Sequence, residues 1–251
     1  MATPDAVARF LLKDVNRAVR DFDLISDGDR IAVGVSGGKD SRTLLDLLVR
    51  GVDIPGDYEV VAIHVDGSPV GLPNQAPRLA PWFQELDVPY EITPLMVPED
   101  EELPMNCFRC AWNRRKTLFF AADRLGCNKV AFGHHADDAA VTTLMSLMYK
   151  GQLETLAPRL SFFDDHFIVI RPLIYLSAAE IERYARVSGW TFPPEPVCPR
   201  EEEARRVHFE RFLSTFSSTE REQIRANLWR AAHEHGDVPS TGAAGPAEEV
   251  T

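Results

Sequence analysis

The sequence predicts an α/β protein: a doubly wound parallel sheet of about five strands, with a small helical appendage at the C-terminal end. Three observations carry this. Short apolar runs alternate with stretches of helical period through residues 29–190, the pattern of consecutive βαβ units. One run, Phe167-Ile168-Val169-Ile170, is apolar on both faces, as a strand is when helices cover both sides of its sheet. A glycine-rich loop also joins the first run directly to a helical stretch, and in such sheets ligands bind outside the carboxyl ends of the strands.

The elements follow in order. Residues 5–22 place Val7, Phe10, Leu11, Val15 and Val19 at helical spacing, and the turn Ser26-Asp27-Gly28-Asp29 closes this N-terminal unit, residues 1–28. Ile31 to Val35 is the first strand, and Thr43 to Val49 a leucine-rich helix ending near Gly51. Tyr58 to Val65 is the second strand. Residues 67–81 hold four prolines and read as a loop into a helix from Trp82 to Leu86. Pro89 to Val97 is the third strand, made irregular by Pro94. Beyond the acidic run Glu99 to Glu102, a long helix spans about Cys107 to Leu125 and stops at Gly126. Lys129 to Phe132 is the fourth strand, Asp137 to Tyr149 a helix, and His166 to Arg171 the fifth strand. Ser177 and Glu180 form a capping box that opens a helix to Val187. Past Trp190 the texture changes. Pro193, Pro194, Pro196 and Pro199 surround Cys198, two charged helices at 201–216 and 219–233 fill the segment 191–235, and residues 236–251 read as a disordered tail.

Composition narrows the function. With 251 residues, 45% hydrophobic and 26% charged, the chain is long enough to bury a real core. No apolar run approaches the ~18 residues of a membrane span, so no membrane association is expected. Asp5, Arg9, Lys13 and Asp14 interrupt the N-terminus, so the expected compartment is cytoplasmic and reducing rather than secretory. A net charge of −11 excludes a general nucleic-acid coat protein, whose footprint is basic. The charge is uneven, however. Between residues 105 and 130, Arg109, Arg114, Arg115, Lys116, Arg124 and Lys129 stand against Asp123 alone, a local +5. Such a run is either a solvated helix face or a phosphate-recognising rim beside a site. Within it Trp112 and Phe108 could stack a flipped base or pack on the sheet, and packing is the reading for Phe119 and Phe120.

The sharpest local signal is Ser36-Gly37-Gly38-Lys39-Asp40-Ser41, after a strand and before a helix. Small residues let the backbone wrap a phosphate, and the helix N-terminus turns unpaired N–H groups toward it. Lys39 adds a point charge, and Ser36 and Ser41 add hydroxyl donors. A Walker A loop needs glycine six positions before the lysine and Ser or Thr after it; here Val33 and Asp40 stand there. Asp40 suits a Mg²⁺ held beside pyrophosphate better than a purely anionic ligand. Two other strand ends fit a nucleotide. One is His64-Val65-Asp66-Gly67, where main-chain groups could take an adenine; the other is Gly133-His134-His135-Ala136-Asp137-Asp138. His134 and Asp138 are four apart and share a helix face. Asp137 and Asp138 are N-caps on the bland reading, and Mg²⁺ ligands or general bases on the functional one.

Cys107 and Cys110 form a C-x-x-C, Cys198 lies far downstream, and Cys127 reads as a small buried apolar residue. A structural zinc wants four ligands. Three thiolates without a fourth suit an iron–sulfur cluster with one open iron, and a redox pair would leave Cys198 idle. Spacing leaves cluster and zinc both open.

The phosphate loop resembles the S-G-G-x-D-S signature of PP-loop ATP pyrophosphatases, whose fold is HUP-like. The whole set of motifs is similar to the tRNA 2-thiocytidine synthetase family within them: Asp21-Phe22 to Arg30, Ser36 to Ser41, Cys107-x-x-Cys110 with Arg114-Arg115, Gly133 to Asp138, Met148 to Gly151, and Ile168 to Leu173. The resemblance implies that ATP adenylylates a base carbonyl with loss of pyrophosphate, and that sulfur then displaces AMP. It implies a 4Fe–4S cluster on Cys107, Cys110 and Cys198, with ATP and Mg²⁺ as further cofactors. It places ATP on Ser36, Gly37, Gly38, Lys39, Asp40, Ser41, His64, Asp66, Gly133 and His134. Catalysis is expected from Lys39, Asp137, Asp138 and the three cysteines, Mg²⁺ on Asp40 and Asp138, and tRNA on Arg109, Arg114, Arg115 and Lys116. A desulfurase or inorganic sulfide is expected as sulfur donor, and a homodimer is allowed. The sequence departs from the family in lacking a second cysteine beside Cys198 and in its shorter C-terminal part. Other readings are a PP-loop enzyme acting on another base or a small molecule, a lysidine synthetase-like ligase with structural zinc, and a nucleotide sensor without turnover.

Overall fold

A computed structural model describes residues 3–162, 166–192 and 205–235. The helices are α1 (Pro4–Phe22), α2 (Lys39–Arg50), α3 (Ala76–Glu85), α4 (Cys107–Arg124), α5 (Ala136–Lys150), α6 (Ala178–Val187), α7 (Arg205–Ser214) and α8 (Ser218–His235). The strands are β1 (Arg30–Gly34), β2 (Glu59–Asp66), β3 (Tyr90–Pro94), β4 (Lys129–Ala131), β5 (Arg159–Phe162) and β6 (Phe167–Ile170). They form one sheet in the order β3-β2-β1-β4-β6-β5. Every adjacent pair is parallel except β5 with β6.

The expected doubly wound parallel sheet is therefore present, with six strands instead of five. The missed strand, Arg-Leu-Ser-Phe, is four residues long and sits at the sheet edge, where it pairs Phe162 with Phe167 and Arg159 with Ile170. Four residues are too few for a period of two to stand out from a loop. Two helices start earlier than the apolar pattern suggests. α3 begins at Ala76, because Pro77 falls in the first turn, where its missing N–H costs nothing, while Leu79, Trp82 and Phe83 bury one face. α2 begins at Lys39, so the glycine-rich loop is itself the entry to the helix.

One sheet face is covered by α1, α2, α3 and α6, whose Val15, Leu44, Leu45, Phe83 and Tyr184 pack with Ile31, Val33 and Ile170. Val7, Leu11 and Val19 belong to this same core, so the N-terminal helix is an integral layer. The other face is covered by α4, where Leu118 and Phe119 meet Val61, Ile63, Val130 and Val169. α7 docks on α5 through Phe209 and Leu213 against Ala140, Val141 and Met145, and α8 adds Ile224 and Leu228. Cys198 and the 236–251 tail lie outside the described residues. None of the described helices is long and apolar enough to cross a membrane. After β1 the chain moves to β2 on one side, while β4 lies on the other; the crevice at their carboxyl ends is where this topology accommodates a ligand.

Candidate nucleotide cleft and cysteine pair

That crevice is a cleft of about 410 Å³, lined among others by Ser36, Asp40, Ser41, Gly133, His134 and Asp138. Its floor is the phosphate loop. Gly37 has φ +92°, a backbone only glycine adopts without strain. Ser41 Oγ accepts from the Ser36 amide at 3.2 Å and donates to the Gly38 carbonyl at 3.1 Å, which locks the loop into one turn. Gly38, as N-cap, gives no side chain to the first N–H groups of α2, so the helix end is left for an anion. Lys39 Nζ donates to Asp40 Oδ1 at 2.9 Å, and both side chains remain about one-third exposed. Gly133 has a separate reason: a Cβ there would stand 2.9 Å from the backbone of Asp40 and Ser41. The loop after β4 thus presses directly on the phosphate loop, which brings the two motifs into one site.

The opposite wall is the start of α5. The His135 imidazole is buried between Asp40 and Asp138, 3.7 Å from one carboxylate and 3.5 Å from the other. Asp138 accepts from the His135 amide at 2.7 Å, capping its own helix, and pairs with Arg206 of α7. Burial pushes its carboxyl up, but His135, Arg206, His134 and the His135 amide together hold it below the usual range. Asp137 is not among the cleft-lining residues. It accepts from the Ala178 amide at 2.8 Å, at the start of α6, and from Arg225 Nη1 of α8 at 2.8 Å. The expected catalytic pair is therefore split: Asp138 faces the cleft, while Asp137 joins α5, α6 and α8. Buried Arg171 donates to His134 Nδ1 at 3.4 Å and to the Ala157 carbonyl at 2.5 Å. His135, Arg206 and Arg225 were not singled out in the sequence, since nothing local ties the two C-terminal arginines to a motif some 70–90 positions upstream.

At the end of β2 the expectation is of main-chain groups, and the two polar side chains there have partners of their own. The His64 side chain is buried and bonded to the Val35 carbonyl at 2.7 Å, so it props the strand exit instead of facing the cleft. Asp66 spends its carboxylate on the Ser68 amide and hydroxyl, at 3.0 and 2.6 Å, and its carbonyl on the Leu95 amide. Val65 and Ile63 are the β2 residues that line the cleft. Burial, with the charge of Arg114 adding to it, lowers the His64 pKa. The folded protein then binds fewer protons than the unfolded chain below pH ~6.5, so stability from this group is present above that pH and declines beneath it. The thermal midpoint is expected to fall as pH drops from 6.5 toward 5, with a shallower fall for His64→Gln. Parallel curves for the two proteins would contradict a buried neutral imidazole.

Cys107 and Cys110, one exposed and one half-buried, stand on the first turn of α4. Asn106 caps that turn by accepting from the Arg109 amide at 2.8 Å. A separation of three places both sulfurs on one face at a helix N-terminus. The pair suits two ligand positions of a thiolate-bound metal or cluster. Cys127 is buried with its thiol pushed up by that burial, and it follows the far end of an 18-residue helix ~27 Å long. It does not join them. Among the described residues no group of three His, Cys, Asp or Glu gathers for a metal.

The basic run divides. Arg114 and Arg115 line the cleft. Arg109 turns to Glu101 at 2.5 Å, Arg124 pairs with Glu91, and Lys129 is buried against Asp29 at 2.6 Å. Part of the +5 is therefore paired within the chain, with Lys129 buried and Arg109 and Arg124 still exposed, and Glu101 of the acidic run is the partner of Arg109.

An open α/β sheet with a phosphate loop that is not Walker A, closed by a second glycine loop, defines a nucleotide-binding domain of PP-loop type. The PP-loop domain family matches residues 11–198. A tRNA-cytidine(32) 2-sulfurtransferase from Anaeromyxobacter sp. (strain K) is 36% identical over 232 residues, covering 89% of this chain and 78% of that protein. One of the same name from Acinetobacter baumannii is 35% identical over 225 residues, covering 85% and 73%. The chain belongs to the PP-loop family and, within it, to the tRNA 2-thiocytidine synthetase group. The fold is shared with the U34-tRNA thiolase NcsA of Methanococcus maripaludis, solved with its 4Fe–4S cluster, at a TM-score of 0.66 and 21% identity over 94% of this chain and 86% of that one.

Proposed function

We propose that this protein is an ATP-dependent tRNA sulfurtransferase that converts a cytidine to 2-thiocytidine. The observation that supports this most is the position of α4. Its first turn carries Cys107 and Cys110, and the following turns put Ala111, Arg114, Arg115 and Leu118 on the wall of the phosphate-loop cleft. One rigid helix thus links a thiol pair to the nucleotide site.

ATP sits with its phosphates on the loop from Ser36 to Ser41 and the N-terminus of α2. Lys39 and the loop amides hold the β- and γ-phosphates and stabilise charge as the α–β bond breaks. The base carbonyl oxygen bonds to the α-phosphorus, pyrophosphate leaves, and sulfur then replaces the oxygen, which departs with AMP. Asp40 is the Mg²⁺ ligand we favour. Asp138 already accepts from the His135 amide on one oxygen and pairs with Arg206 on the other, so it is the second choice. With Arg206 in place Asp138 is ionised and orients His135. Arg114 and Arg115 bind RNA phosphate at the cleft mouth.

Cys107 and Cys110, with Cys198, would hold a 4Fe–4S cluster, and the NcsA thiolase, which shares the fold and carries such a cluster, supports that choice over zinc. When bound, the cluster would supply an open iron at which sulfide is held as nucleophile. The sulfur comes from a desulfurase or from inorganic sulfide, and the site of action is the cytoplasm. Anaerobic purification tests the metal: about four irons and four sulfides per chain are expected. Stoichiometric zinc without iron would instead favour a non-thiolating ligase.

A further inference from the structure

α4 presents a second stripe beside the one that meets the nucleotide cleft. Trp112, Arg115, Lys116, Phe119, Phe120 and Asp123 recur at intervals of three and four, so they lie along one side of the helix. With His166 and Phe167 at the start of β6 they enclose a cleft of about 440 Å³. Phe119 forms its floor, buried and 5.3 Å from the Phe167 ring. Phe120 is half exposed at its edge, with the Lys116 ammonium 5.8 Å from the ring centroid. His166 and Asp123 close one end at 2.8 Å. Arg115 lines both this cleft and the nucleotide cleft, so the two are neighbours on either side of one residue.

An exposed aromatic cleft needs an occupant, and its charge indicates which. The protein carries −11, yet among the described residues lining this cleft the cations Arg115 and Lys116 outnumber the acid Asp123, which meets His166 at 2.8 Å. Aromatic faces flanked by cations bind unstacked nucleobases, the rings taking the base and the cations the phosphates on either side. The base that reacts must reach the α-phosphate in the other cleft, so it cannot be the occupant here. We propose that the Trp112–Phe120 cleft is an RNA subsite that stacks an unpaired base next to the acceptor nucleotide, with Arg115 on the phosphate between them. This rests on the tRNA thiolation reading. The subsite would splay the strand at the acceptor, which delivers that base past Arg115 to the phosphate loop.

The test is fluorescence anisotropy of a labelled, unmodified anticodon stem-loop RNA titrated with the anaerobically prepared holoenzyme. Phe120→Ala and Trp112→Ala are each expected to weaken RNA binding about five- to hundredfold. Binding of ATP alone should be unchanged, and Phe10→Ala, which removes an exposed aromatic on α1, should bind RNA as the parent does. Lys116→Gln should lower the salt dependence of RNA binding by about one ion. If the parent binds the RNA and both cleft variants bind it equally well, the subsite is wrong and the thiolation reading stands. If the parent binds no RNA, the thiolation reading falls and the subsite with it. Sedimentation in parallel adds one more outcome: variants that keep RNA affinity but lose self-association would make this cleft an interface between two copies, overturning the proposal.

Discussion

Lys39→Ala and Asp40→Ala are each expected to reduce ATP-dependent pyrophosphate release by about two to three orders of magnitude, the usual cost of removing one group aimed at developing charge. The two residues stand where α2 begins and only partly shielded, paired with each other at 2.9 Å. A pair that exposed contributes little to folding, so the thermal midpoint should move by no more than a few degrees. Cluster content should also be unchanged, because Cys107 and Cys110 belong to another helix. The combination separates chemistry from folding. Parent-like pyrophosphate release from either variant would mean that the loop turns but does not bind the triphosphate as described.

Cys107→Ser and Cys110→Ser should show the opposite profile. Each removes a thiolate at the N-terminus of α4 without touching the phosphate loop. Loss of a ligand should exceed the ~10–100-fold cost of altering a residue that merely supports one. Iron content and sulfur transfer should therefore fall by more than ~100-fold, while ATP still binds. Cys127→Ala is the control. Its buried thiol lies at the other end of the helix, so iron content should match the parent. Retention of iron in both serine variants would remove α4 from the cluster site, and loss of iron in the Cys127 variant would contradict the placing of Cys127 outside it. A serine pair that abolished ATP binding as well would indicate that the first turn of α4 shapes the cleft itself.

Much of this was legible along the chain because the signals were local. The strand–glycine loop–helix unit around Gly37 and Gly38 announces itself through its residue types, and at Gly37 the backbone itself requires glycine. The capping box at Ser177 and Glu180 forms as read, with the Ser177 amide 2.8 Å from Glu180 Oε2. The C-x-x-C opens a helix, as its flanking residues suggest. What escaped depended on distant partners. β5 exists because β6 offers it an antiparallel edge, and its own four residues say little. Arg206 and Arg225 gain meaning only when α7 and α8 fold back on α5, which puts their guanidiniums on Asp138 and Asp137. The basic run looked uniform in sequence, yet tertiary pairing withdrew Arg109, Arg124 and Lys129 and left Arg114 and Arg115 at the cleft. Phe119 and Phe120 both read as packed in the sequence; Phe119 is buried, but Phe120 is half exposed at the edge of the aromatic cleft, which only the tertiary arrangement shows.

The most direct measurement is mass spectrometry of nucleosides from tRNA of a strain lacking this protein. Loss of 2-thiocytidine, restored by the intact protein and by the Cys127→Ala variant but not by Cys107→Ser, is the result this account expects. An unchanged 2-thiocytidine level in the deletion strain would contradict it.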